Sequence, residues 1–153
     1  VLTSDAPNKG WKIPETTLVY PWIVRLFPDI RYIHWVRDPR DCILGSHLTD
    51  DLNDFGIRYE KTDDVRTNRA ISWLYQREIM HDTPAPAHVL AVRFEDMVFH
   101  QDETLARLEK FLGIPMAKIE MRTDSVGRYK TDDGVHMFPF FQTEMDELGY
   151  DAE

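Results

Sequence analysis

Residues 31–46 read Arg31-Tyr32-Ile33-His34-Trp35-Val36-Arg37-Asp38-Pro39-Arg40-Asp41-Cys42-Ile43-Leu44-Gly45-Ser46, and their order decides the fold class. Tyr32 to Val36 is a short, nearly continuous apolar run, the pattern of a strand covered on both faces. Directly after it, Asp38 suits an N-cap, Pro39 the first helical position and Asp41 the acidic third position of a helix. The stretch predicts a buried strand, an arginine-bearing turn and a capped helix. In open α/β sheets, anionic ligands sit at the carboxyl ends of strands, against the N–H groups of the next helix. Arg37 stands at that place, and its guanidinium is a planar, permanently charged fork that matches a phosphate. The same residues also suit surface ion pairing of Arg37 and Arg40 with Asp38 and Asp41. Local chemistry weighs the two readings evenly.

Working outward, Thr17 to Phe27 predicts a short helix with Val19, Trp22, Ile23 and Leu26 on one face, closed by Pro28. On the other side, Leu44, Leu48 and Leu52 continue an inward stripe on the helix begun at Pro39. Gly56 to Asp64 is a charged connection. A longer helix is predicted over Val65 to His81, with Ile71, Leu74, Tyr75 and Ile79 inward, and Asp82 to Ala87 is a proline-bearing loop. Val89 to Phe94 reads as a second buried strand, so the order strand, helices, strand predicts a right-handed parallel unit. A helix near Asp102 to Leu112 buries Leu105, Leu108 and Leu112 and stops at Gly113 and Pro115. From Met116 onward a short helix, a basic loop and the aromatic run Phe138–Phe141 lead to a final helix, while Val1 to Trp11 is polar and irregular. Two strands that are apolar on both faces imply further strands to cover them.

The bulk properties narrow the function. A chain of 153 residues suits one domain with its own core. A net charge of −9 argues against a nucleic-acid or anionic-membrane binder, yet leaves room for a local pocket made by a few arginines. The single cysteine, Cys42, permits no internal disulfide and fits a reducing, cytoplasmic setting; on the helix after Arg37 it reads as a packing thiol rather than a nucleophile. No apolar run is long enough to span a membrane, and the first residues lack a signal-peptide pattern. His47, Asp50 and Asp51 have ligand-like spacing, but no further His or Cys cluster completes a metal site, so they read as a solvated acidic face and no metal is expected. His34, within the apolar strand, reads as a core residue rather than a base.

Several segments carry a family likeness. Ile33-His34-Trp35-Val36-Arg37-Asp38-Pro39-Arg40-Asp41 resembles the 3′-phosphate-binding motif of sulfotransferases that use 3′-phosphoadenosine 5′-phosphosulfate (PAPS). Lys12-Ile13-Pro14 is similar to the lysine segment that precedes that motif, and Val92-Arg93-Phe94-Glu95-Asp96-Met97 resembles the family's Tyr-Glu-Asp-Met segment. Leu105 to Gly113 resembles its helix ending Phe-Leu-Gly. Val126-Gly127-Arg128-Tyr129-Lys130 resembles its Gly-x-Trp-Lys segment, and Leu148-Gly149-Tyr150 a tail common in bacterial members. The matches fall in the family's order along nearly the whole chain.

The resemblance implies an α/β fold, a P-loop NTPase-like three-layer sandwich with a parallel sheet. It also implies sulfonate transfer from PAPS to an acceptor hydroxyl or amine on a small molecule or glycan. No Gly-x-x-x-x-Gly-Lys or comparable stretch occurs here, although such loops exist to aim several N–H groups at phosphate oxygens. The chain therefore reads as a carboxyl-terminal portion of the domain, incomplete for turnover by itself and expected to self-associate through uncovered apolar surface or to be only marginally stable. By the same resemblance Lys12 is the lysine beside the leaving oxygen, while Pro14 replaces the histidine base of the cytosolic branch. Arg37 would bind the 3′-phosphate. The partner serine position is Gly45, with Ser46 one residue, about 100° of helix, further on. Phe94 takes the place of an adenine-contacting tyrosine. Arg122 is the first arginine of a phosphate clamp continued here by Thr123 and Asp124, with Arg128 and Lys130 as substitute charge. The rival reading is a non-catalytic module on this fold that binds a nucleotide or partner protein. A nucleotide kinase fits less well, lacking both the loop and a magnesium ligand set.

Overall fold

The structure, a computed structural model, describes residues 5–132 and 142–150. Strands β1 (Arg31–Val36) and β2 (His88–Arg93) pair in parallel, with Ile33 opposite Leu90, Trp35 opposite Val92 and Val36 opposite Arg93. A 3-10 turn, Pro14–Val19, and helix α1 (Tyr20–Leu26) precede β1. Between the strands lie α2 (Pro39–Cys42), a 3-10 turn at Leu52–Phe55 and α3 (Val65–Asp82). After β2 come α4 (Phe94–Phe99), α5 (Gln101–Leu112), 3-10 turns at Thr123–Ser125 and Arg128–Thr131, and α6 (Gln142–Leu148). Among the described residues the fold is mixed α/β around a two-strand parallel sheet.

Successive strand residues point to opposite faces, and the core divides accordingly. Val92 buries with Met97, Leu105 and Leu108, with Ile33 and Leu90 packed against them. Val36, one pleat further, faces the other way and joins Ile43, Ala70, Tyr129, Met145 and Tyr150. The strands are less covered than their apolar sequences predict: Trp35 is 46 % exposed and Val89 43 %.

Four helical segments differ from expectation. The helix begun at Pro39 has only four residues, so the stripe Leu44, Leu48, Leu52 does not exist as a helical face; Leu48 is 73 % exposed, whereas Leu52 is buried on its own 3-10 turn. Thr49 instead brings the chain back to α3, where it accepts from the Ser72 hydroxyl. The segment expected as a Thr17–Phe27 helix splits at Tyr20. Tyr20 buries against Tyr32 with ring centroids 4.8 Å apart, while Val19, Trp22 and Leu26 face solvent. Phe94 does not end β2; it opens α4, a helix the apolar run conceals. No short helix follows Met116 until the turn at Thr123–Ser125, and the Phe138–Phe141 run lies outside the described residues.

The long helix forms close to its predicted bounds because Asp64 caps it, accepting from the N–H groups of Arg66 and Thr67, each at 3.1 Å. Its most buried positions are Asn68, Ala70 and Ser72, while Ile71, Leu74, Tyr75 and Ile79 are half-buried. Asn68 accepts from the Thr62 N–H at 2.9 Å and donates to the Thr62 carbonyl at 2.8 Å, stapling the charged connection to the helix.

Candidate functional site

The carboxyl ends of β1 and β2 meet four other segments: the turn 37–41, the start of α4, the loop 125–130 and the residues after α6. Together they enclose a cleft of about 190 Å³ whose lining includes Asp38, Arg40, Asp41, Arg93, Glu95 and Lys130. Two of its charges, Asp38 and Arg40, pair with each other. Asp38 caps α2 by accepting from the Arg40 N–H at 2.9 Å. The same carboxylate takes a two-point contact from the Arg40 guanidinium at 3.1 and 2.8 Å. That guanidinium also lies 3.9 Å from the centre of the Tyr129 ring, a cation–π contact in a buried setting. The sequence leaves ligand binding and surface ion pairing equally open for this turn. Here both ion pairs form, Arg40–Asp38 and Arg37–Asp41, with the carboxylates buried rather than on the surface.

Arg37 is held differently. One terminal nitrogen donates to the Ser125 carbonyl and stands 3.5 Å from Asp41 Oδ2. The guanidinium carbon is 4.8 Å from the centre of the Phe94 ring, which Trp35 meets edge-on at 6.4 Å. Arg37 Nε is buried and has no hydrogen-bond partner among the described residues. A buried guanidinium N–H without an acceptor is costly and is a site where an incoming oxyanion would be held strongly.

Asp41 is wholly buried. Its Oδ2 accepts from the Gly127 N–H at 2.7 Å and its Oδ1 from the Tyr129 N–H at 3.1 Å, while its backbone carbonyl accepts from Arg128 at 3.1 Å. Gly127 sits at φ 74°, the left-handed region that lets the loop turn its amide inward. On the opposite wall, Glu95 accepts from the Asp38 N–H at 3.0 Å and from the Tyr150 hydroxyl at 2.8 Å. Arg93 stacks 4.1 Å from the Tyr150 ring centre and donates to the Gly149 carbonyl at 3.0 Å. Burial, with the Glu95 charge beside it, raises the Tyr150 phenol, so the hydroxyl stays a donor.

Of the predicted residues only Lys130 lines the cleft; Arg37, Phe94 and Arg128 stand around the turn 37–41 beside it. Lys12, Ser46 and Arg122 do not line it either. Ser46 is exposed beyond the end of α2, so the helical rotation expected for its hydroxyl does not apply. Arg122 contributes its carbonyl to the same loop, accepting from Ser125, but its guanidinium is 79 % exposed and chelated by Asp124 at 3.1 and 2.8 Å. Lys12 is exposed between Trp11 and Ile13, both of which line a separate, mainly apolar groove of about 490 Å³ with Leu18, Val19 and Ile23.

Burial pushes the Cys42 thiol up to about 12, and its sulfur lies 3.9 Å from the Arg37 carbonyl, which makes it a packing group. His34 is lowered to about 4 by burial and, secondarily, by Arg77, so it is neutral near pH 7. Asp50 pairs with Arg69 at 2.9 Å and Asp51 with Lys61, occupying the acidic residues near His47. No group of three or more metal-ligating side chains occurs among the described residues, and none of their helices is long and apolar enough to cross a membrane.

Sequence reasoning missed Asp41 as a loop anchor, together with Glu95, Arg93 and Tyr150 as a wall. Asp41 reads locally as an ordinary helix-start acid, because nothing near it in sequence shows that the loop 86 residues away returns to it. The Leu148-Gly149-Tyr150 tail was the one available signal for Tyr150.

With this geometry in place, comparison with known proteins gives one positive result: residues 2–118 match the Sulfotransferase family. No curated protein and no solved structure gives a significant match.

Proposed function

The chain belongs to the sulfotransferase family, and on that premise we propose that it serves PAPS-dependent transfer of a sulfonate to an acceptor hydroxyl or amine, with Arg37 holding the donor's 3′-phosphate. The observation that carries this reading is Arg37 itself. It stands at the strand end with a buried, unpartnered Nε and a guanidinium set against the Phe94 ring. Phe94 offers a flat apolar face to the adenine, and Arg128 and Lys130 add positive charge to the neighbouring loop. Arg122, already paired with Asp124, has the smaller part, and Ser46 acts only if the exposed turn carrying it folds inward.

PAPS supplies an activated sulfuryl group whose bond to the 5′-phosphate breaks as the acceptor oxygen or nitrogen attacks sulfur. The protein's work is positioning and charge stabilisation. Lys12 is the residue proposed to neutralise the departing phosphate oxygen, on its match to the family's lysine segment. The apolar groove that Trp11 and Ile13 line beside it suits an acceptor with an apolar body. The parallel sheet is read as part of a P-loop-type three-layer domain. The chain is read as its carboxyl-terminal portion, because no glycine-rich loop occurs among its residues. The lone cysteine, Cys42, fits a cytoplasmic setting.

Equilibrium dialysis with ³⁵S-labelled PAPS tests the proposal. Saturable retention that adenosine 3′,5′-bisphosphate displaces, and adenosine 5′-phosphate does not, is the expected result. Retention indifferent to the 3′-phosphate would favour a module of another specificity.

A further inference from the structure

We infer that Asp41 is a positioning residue that latches the loop 125–130 onto the turn 37–41 and thereby fixes the Arg37 guanidinium for an anionic ligand. This rests on the reading of Arg37 as a phosphate-binding group. The carboxylate is fully buried, and each of its oxygens is used: Oδ1 by the Tyr129 N–H at 3.1 Å, Oδ2 by the Gly127 N–H at 2.7 Å. Oδ2 also stands 3.5 Å from an Arg37 terminal nitrogen that donates to the Ser125 carbonyl, two residues before Gly127. One side chain thus ties the two loop amides to Arg37, which itself donates to the loop's Ser125 carbonyl.

Without the latch, Arg37 keeps its charge but loses its fixed direction. Two backbone N–H groups lose their acceptor, and burial makes that expensive. Arg128 donates to the Asp41 carbonyl at 3.1 Å, so the same residue anchors the loop by backbone as well as side chain. A carboxylate bonded by two loop amides has no need to touch the ligand; it acts through Arg37. Arg40 does not substitute for it, because its guanidinium is taken up by Asp38 and the Tyr129 ring.

The test uses the full chain with Asp41→Asn, which keeps size and one acceptor oxygen, alone and combined with Arg37→Ala. Hydrogen exchange reads the latch without any nucleotide. The Gly127 and Tyr129 amides are slow in the wild type and accelerate in Asp41→Asn; free-peptide rates in the wild type overturn the latch whether or not the variant folds. Calorimetry with adenosine 3′,5′-bisphosphate and adenosine 5′-phosphate reads the positioning. Asp41→Asn lowers the preference for the 3′-phosphate by roughly tenfold, the scale of one charge-assisted hydrogen bond, and has no further effect on that preference once Arg37 is alanine. Equal weakening toward both nucleotides, or the same loss in the Arg37→Ala background, overturns the positioning role. A wild type and Arg37→Ala that bind the bisphosphate equally would instead refute the phosphate reading, with the latch still judged on its amides.

Discussion

At the carboxyl ends of the two strands, the charged groups Asp38, Arg40 and Asp41 are buried and answered by partners; across residues 11–27 the reverse holds, with large apolar groups facing water. Asp38, Arg40 and Asp41 are nearly inaccessible, yet Arg40 meets Asp38 at two points and Asp41 meets two amides. Trp22 and Leu26 are well exposed, although their sequence pattern is that of a buried helical face. The contrast separates two kinds of sequence signal. Charges with nearby or returning partners fold inward at modest cost, whereas apolar side chains fold inward only where another layer meets them. In the first region the partners lie within the described residues; in the second the apolar face is exposed.

The comparison breaks most sharply at Asp41. Replacing it by alanine leaves Arg37 without its carboxylate and two loop amides without an acceptor, and should destabilise the fold by about 3–5 kcal/mol. Urea unfolding followed by tryptophan fluorescence reads this as a lower midpoint. Asp124→Ala, which removes a pair in full solvent contact with Arg122, leaves the midpoint unmoved. Equal responses from the two variants would erase the distinction between buried and exposed charge.

A smaller effect comes from His34. Burial, with Arg77 as the lesser cause, lowers its imidazole to about 4. The unfolded chain takes up that proton near its ordinary value of about 6.5, while the folded chain does not until about pH 4. Stability from this group is therefore complete above pH 6.5 and declines as the pH falls through the window, by on the order of 3 kcal/mol. Urea midpoints measured between pH 7 and pH 4 should show the decline in the wild type and a flatter profile in His34→Gln. Superimposable profiles would show that His34 is solvated.

The smallest change in stability, within about 0.5 kcal/mol, is expected for the double substitution Trp22→Ser, Leu26→Ser. Its effect lies in association: exposed apolar surface of this extent favours self-contact. Sedimentation velocity should show concentration-dependent association in the wild type that the double variant reduces. A wild type that stays monomeric at every concentration would show that the face needs no cover.

Much of this contrast was legible from residues alone. The strand Tyr32–Val36, the Asp38 cap and the long helix from Val65 are local patterns, and they formed close to where period and capping put them. The four-residue length of α2 was not legible, because Leu44, Leu48 and Leu52 repeat at helical spacing. Contacts from Thr49 to Ser72 decide instead where the chain turns. Likewise Phe94 looked like the last residue of a strand, since an apolar run carries no mark of where β2 yields to α4. At the site, Arg37 was visible through its motif and Asp41 was not, because its partners lie far along the chain. Local signals single out Arg37; only the fold reveals the carboxylate beside it.

Whether Arg37 holds a 3′-phosphate is read by calorimetric titration of adenosine 3′,5′-bisphosphate into the wild type and Arg37→Ala. The expected result is a loss of roughly 1.5–3 kcal/mol in binding free energy for the variant, the range of a charge-assisted hydrogen bond to a phosphate, with affinity for adenosine 5′-phosphate unchanged. Equal affinity of both proteins for the bisphosphate would contradict it.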